Sequence, residues 1–156
     1  MGFEIERKFL VLGNAWRSRA TGTRYRQGFL STEPERTVRV RAAGARGWLT
    51  IKGKTMGARR IEHEYEIPLR DAEDMLESLC KRPLIEKVRY TIVVGDHTWE
   101  IDVFEGDNEG LIVAEIELQS EDEAFERPEW LGDEVTHDAR YFNANLVQNP
   151  FRTWSR

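Results

Sequence analysis

Acids and bases recur at alternate positions along several short stretches of this chain, sorted by sign. The opening segment "FEIERKFLV" (residues 3–11) sets Glu4, Glu6 and Lys8 on one side of an extended backbone and Phe3, Ile5 and Phe9 on the other. The same two-residue register places Arg39 beside Arg41, Thr50 beside Lys52, and Glu62 beside Glu64 and Glu66. It also pairs Lys87 with Arg89, Glu100 with Asp102, and Glu115 with Glu117. Neighbours in such rows lie ~7 Å apart by strand rise, close enough for like charges to repel. A solvated face normally mixes Lys, Glu, Thr and Ser. Sign-sorted rows make sense when each has a partner of opposite sign. Arginine and lysine rows suit an oligoanion, and carboxylate pairs suit a hard divalent cation that takes oxygen ligands. A polyphosphate carrying Mg²⁺ or Mn²⁺ meets both needs at once.

Strands are required to hold these rows, and the dominant period is two. Besides residues 3–11, strands are expected over 23–31, 36–42, 47–54, 60–69, 84–94, 97–105 and 111–119, eight in all. Turn chemistry separates them: Gly44 to Gly47, the region of Gly57, Gly95-Asp96, and Gly106 to Gly110. Most connections are too short for a helical crossover, so the sheet should be largely antiparallel. One helix is expected from Asp71, as cap, to Lys81, stopped by Pro83, with Ala72, Met75, Leu76, Leu79 and Cys80 as its apolar stripe. A second runs from Asp138 to Gln148, and residues 121–130 read as a helical turn followed by a loop.

The faces opposite the charged rows are apolar: Val38 and Val40, Leu49 and Ile51, Val88, Tyr90 and Ile92, Trp99, Ile101 and Val103. An antiparallel sheet with one wet face satisfies this pattern. So does a closed eight-stranded barrel, which removes exposed edges. Periodicity alone does not say which face is inside. If the charges point inward, the outer apolar faces must be covered by helices or by a second copy of the chain, which leaves a homodimer open.

Composition narrows the classes. At 156 residues the chain is expected to be one domain, residues 1–156. The net charge of −5 argues against nucleic acid and anionic membrane as partners but not against a small anion in a local basic pocket. Cys80 is the single cysteine, so neither a disulfide framework nor zinc-ligand spacing is present. With no apolar run near ~18 residues and no signal-peptide pattern at the start, a cytoplasmic location is the default expectation. "GKTMG" (residues 53–57) lacks the full phosphate-loop spacing and reads as a turn.

The motifs also occur in a recognisable order. Glu4-Ile5-Glu6-Arg7-Lys8 matches the E-x-E-x-K signature, followed by "VRVR" (38–41), "LTIK" (49–52), "EYE" (64–66), "EKVRY" (86–90), "EIDVFEG" (100–106), "AEIEL" (114–118) and "EVTHDARYFN" (134–143). As an ordered set the chain resembles the CYTH superfamily, the triphosphate tunnel metalloenzymes, and within it the short bacterial inorganic triphosphatases. The resemblance implies a mainly β, α+β fold: an eight-stranded antiparallel closed β-barrel, or tunnel, with a charged lumen and a few helices outside. It implies a hydrolase that splits tripolyphosphate into pyrophosphate and phosphate with Mg²⁺ or Mn²⁺. Glu4, Glu6, Asp102, Glu115 and Glu117 would ligate metal. Lys8, Arg39, Arg41, Lys52, Lys87 and Arg89 would grip the triphosphate, with Arg140 as a lid cation. Lys8, Glu64, Glu115 and Glu117 would carry catalysis. Phe29 and Phe142 stand where relatives present a tyrosine and a lysine. An adenylate cyclase of the same superfamily, a thiamine or nucleoside triphosphatase, and a non-catalytic polyphosphate-binding module are the competing expectations.

Overall fold

In the computed structural model, which describes residues 2–154, the alternating segments become nine strands. These are β1 (Phe3–Val11), β2 (Gly22–Glu33), β3 (Arg36–Ala43), β4 (Arg46–Lys52) and β5 (Arg59–Ile67), then β6 (Ile85–Val94), β7 (His97–Phe104), β8 (Ile112–Glu117) and β9 (Leu131–Glu134). All pairings are antiparallel, in the order β5-β4-β3-β2-β6-β7-β8-β1-β9, with a further contact between β5 and β1.

The expected closed β-barrel is not what forms. Eight strands make a ring, but β5 and β1 meet over only three residue pairs, Phe3 with Ile61, Glu4 with Arg60 and Ile5 with Arg59, and the ring does not form a barrel. The reason lies in β1, one edge of which pairs with β8 from Glu6 to Leu10. Its other edge is shared, since β5 leaves it early and the unanticipated strand β9 takes the remainder at Phe9 and Val11. Leu131 to Glu134 carry no apolar alternation, so nothing local marks them as a strand. They are held by pairing with β1 and by Arg7, whose guanidinium donates to both oxygens of Glu134 at 2.8 and 2.7 Å.

Three apolar clusters form, two outside the ring and one, around Phe29, Ile85 and Phe104, on its inner face, where these residues are paired with Arg39, Gln27 and Lys87. Phe9, Trp99, Ile101, Ile116 and Trp130 pack with Trp16 over β1, β7 and β8. Phe29, Ile85, Phe104 and Leu111 pack against α2 (Asn143–Gln148) through Leu146 and Val147. Val40, Ala42 and Cys80 pack with Ala72 and Leu76 of α1 (Leu69–Ser78). Fully burying a side chain such as Leu76 contributes ~1.5–3 kcal/mol. The α1 helix sits so close to β4 that a Cβ on Gly47 would lie 2.7 Å from that of Ala72. Elsewhere the outer surface is uncovered: Phe3, Ile51, Ile61 and Tyr65 remain 58, 39, 47 and 57% exposed.

Both helices differ from expectation. The first begins at Leu69, directly after β5, with Pro68 rather than Asp71 in the cap position. It ends at Ser78, because the chain turns so that the Lys81 N–H can donate to the carbonyl of Phe29 on β2. Residues 138–148 are not one helix. A 3-10 turn over Ala139–Tyr141 is followed by extended Phe142 and then α2. Residues 121–130 form turns and extended loop with no helical turn.

Candidate functional site

The charged rows point into the ring. They line a cavity of about 390 Å³ with contributions from Glu4, Glu6 and Lys8 of β1, Arg39 and Arg41 of β3, and Lys52 of β4. Arg60, Glu62 and Glu64 of β5, Lys54 beyond β4, Lys87 and Arg89 of β6, Glu100 of β7, and Glu115 and Glu117 of β8 complete the charged lining. Strand alternation is sufficient to bring them to one side, and the ring converts one side into an interior. The break at Phe142 turns Asn143 inward across one end, where its side-chain oxygen accepts from Gln27 Nε2 at 2.6 Å and from Lys87 Nζ at 3.1 Å. Both Phe29 and Phe142 also line the cavity.

Most of these charges are paired. Lys8 donates to Glu6 at 3.1 Å and to Glu115. Burial works against its charge, but the two carboxylates outweigh it and hold the Lys8 pKa well above the ordinary lysine value. Burial and Glu4 push the Glu6 carboxyl up, but Lys8 and Lys52 together outweigh them and the net effect is a lowered pKa. Lys52 lies 2.7 Å from Glu4 and 3.6 Å from Glu62. Glu64 accepts from Thr50 at 2.8 Å and pairs with Arg39 at 3.4 Å.

Asp102 stands behind the lining rather than in it. Its carboxylate accepts from Lys87 at 2.7 Å and from two nitrogens of Arg89 at 2.8 and 2.9 Å. Burial opposes its charge, but these cations win and hold its pKa far below the usual range. Arg140 lies outside the cavity, exposed, on the carboxylate of Asp138. Glu66 is likewise outside, engaged with Arg46.

Two charge excesses remain, of opposite sign. Arg41 has no ion pair with a carboxylate among the described residues. It donates from Nε to Gln27 at 3.3 Å and lies over the Tyr25 ring. Burial, with Arg39 and Arg89 adding repulsion, pushes its pKa down to about 9. The buried Nε of Arg39 has no hydrogen-bond partner. Burial, with Arg89 and Arg41 contributing against the pull of Asp102, brings Lys87 down to about 7. A concentrated positive field with unspent donors is a site for an anion.

The negative excess is at Glu117 and at Glu100, whose one ion pair is with Arg89 at 3.3 Å. Burial raises the pKa of both; Glu4, Glu6 and Glu100 add to the rise at Glu117, and Glu115, Asp102 and Glu6 to that at Glu100, where Arg89 opposes it. The Glu117 side chain makes no ion pair or hydrogen bond among the described residues. With Glu6 and Glu115 these two also face a second opening, of about 530 Å³, beside Asp96, His97 and Glu123. Oxygen donors that raise one another's pKa suit a hard divalent cation. As the side chains stand, no three acidic, His or Cys residues among those described are gathered as a ready metal site. Lys8 and Lys52 hold Glu4, Glu6 and Glu115 instead.

Sequence reasoning passed over Arg60, which lines the cavity two positions before Glu62 and was legible from the same alternation. Gln27 and Asn143 were not, because neither belongs to a charged row.

Comparison with known proteins agrees with this architecture. The model of the CYTH domain matches residues 2–150. An inorganic triphosphatase of Acetivibrio thermocellus is 50% identical over 154 residues, 99% of each chain. One from Nitrosomonas europaea is 37% identical over 148 residues, 92% of this chain and 96% of that one. A solved inorganic triphosphatase structure superposes with a TM-score of 0.63 at 35% identity, covering 92% of this chain and 93% of the other.

Proposed function

The chain belongs to the CYTH family, and from that premise we propose that it hydrolyses inorganic triphosphate to pyrophosphate and phosphate with Mg²⁺ or Mn²⁺. The observation that carries the reading is Arg41, a half-buried guanidinium without a carboxylate, next to the unpartnered Nε of Arg39. Such charge is costly in a free protein and is offset when an oligoanion binds.

In this reading Arg39, Arg41, Lys87 and Arg89 hold phosphate oxygens from β3 and β6, with Lys8 and Lys52 reaching across from β1 and β4. Guanidinium forks match phosphate oxygens in pairs and remain charged at working pH. Glu64 orients Arg39. Asp102 anchors Lys87 and Arg89, both of its oxygens being engaged by them, and so serves as their counter-ion rather than as a ligand. Glu4, Glu6, Glu115 and Glu117 would hold the divalent cation, whose contribution when bound is to polarise phosphate oxygens and acidify a water. Binding an anion draws Lys8 and Lys52 toward phosphate and frees the carboxylates they now occupy. That couples the two charge excesses to one ligand. Arg140, outside the cavity, has no part in this arrangement.

Phosphate release should be measured with tripolyphosphate, ATP and thiamine triphosphate in Mg²⁺ or Mn²⁺, then with EDTA. The expected result is fastest release from tripolyphosphate, abolished by EDTA, and lost in the folded double variant Glu115→Gln/Glu117→Gln. Cyclic AMP formed from ATP would overturn the assignment, and EDTA-resistant release would overturn the metal requirement.

A further inference from the structure

The cavity is asymmetric along its length. At one end the segment around Asn143 is tied to Lys87 and Gln27. At the other the lining ends in exposed Pro34 and Lys54, with Arg60 between this rim and the interior. The inward positions of β3 run from Arg41 through Arg39 to Thr37, each step ~7 Å. Arg60 reaches the last of these from β5: its guanidinium donates to Thr37 Oγ1 at 3.4 Å and to the carbonyl of Gly53 at 3.1 Å. It has no ion pair with a carboxylate among the described residues.

We infer that Arg60 reads the outer end of the bound anion and thereby selects a free inorganic chain over a phosphate ester. The inference rests on the triphosphatase reading above and names the substrate class for the same site. An anion anchored at Arg41 and Arg39 extends toward Arg60, because Asn143 occupies the opposite direction. The second opening is lined by Glu6, Glu100, Glu117 and Glu123, which repel it. A free terminal phosphate presents two charges and several acceptor oxygens at the Arg60 position. An ester presents one fewer charge there and a bulky organic group that must pass Arg60 and Lys54. The two neutral acceptors of Arg60 hold it in place and leave donor capacity, since a guanidinium carries five N–H groups.

The test compares kcat and KM for tripolyphosphate and ATP in wild type, Arg60→Ala and Arg60→Lys, with thermal melts alongside. Removing a charge-assisted contact should lower kcat/KM for tripolyphosphate by roughly 10- to 100-fold, chiefly through KM. The fall for ATP should be at least about five-fold smaller, so that the preference ratio collapses. Arg60→Lys should recover part of the ratio. Equal losses on both substrates, or none, would overturn the inference by showing a structural role or no role. Should Arg60→Ala unfold, the ratio in Arg60→Lys decides. Failure of the wild type to release phosphate from tripolyphosphate would instead refute the underlying assignment.

Discussion

Replacing Arg41 by methionine keeps most of the side chain's apolar stem and removes only the charged fork. In the free protein burial, with Arg39 and Arg89 adding to it, holds this guanidinium at about 9 against an ordinary 12.5. At 1.36 kcal/mol per tenfold change in acidity, that drop of roughly 3.5 corresponds to ~5 kcal/mol. Water in the cavity screens much of it, and the lost contacts with Tyr25 and Gln27 offset more, which leaves ~1–2 kcal/mol. A chain of this size gains about 3 °C of melting temperature per kcal/mol. Arg41→Met is therefore expected to melt about 3–6 °C above wild type in buffer free of phosphate and sulfate. Tripolyphosphate should reverse the order. At about 100 times Kd it stabilises wild type by ~2.7 kcal/mol, or about 8 °C, whereas the variant should gain a small part of that. Turnover should fall by ~10²–10³. Differential scanning fluorimetry with and without tripolyphosphate, run beside phosphate release, measures all three quantities. A variant that melts below wild type without anion would refute the view of Arg41 as an uncompensated charge. Retained turnover would refute its role toward substrate.

Asp102→Asn should cost ~3–5 kcal/mol, because Lys87 would be left buried without its counter-ion and Arg89 with only its longer contacts to Glu100 and Glu115; urea unfolding that moves by less than about 1 kcal/mol would contradict this. Glu134→Gln tests what holds β9. The hydrogen bond from Arg7 brings the Glu134 carboxyl down to about 2 from 4.5. A depressed folded-state value means that the stabilisation is present above the unfolded value and vanishes as pH falls through about 2. Since the group is partly exposed, the contribution is ~1 kcal/mol at neutral pH. The gap between wild type and variant should close as pH falls below about 4.5; a gap constant with pH would count against it.

Much of the site was legible in the order of residues. Side-chain alternation follows from backbone stereochemistry alone, so all eight anticipated strands occur within two residues of their expected bounds. Their charged positions share one face for the same reason, and the register extended one step further would have included Arg60. The elements that were misjudged depend on distant partners. The Leu131–Glu134 strand exists because β1 has an edge to fill. Helix α1 stops early because Lys81 is claimed by Phe29, and the break at Phe142 delivers Asn143 to Lys87.

What the sequence determined by itself is which side chains travel together and with what sign, a consequence of short-range geometry. Only the tertiary structure decided that those faces point inward, that β5 abandons β1 after three pairs so that the ring is no barrel, and that Asp102 is spent on Lys87 and Arg89 while Arg41 is left without an anion. Those outcomes depend on which charges end within a few ångströms of one another across the ring. Coulomb energy sums over neighbours in space, and the sequence orders only neighbours along the chain.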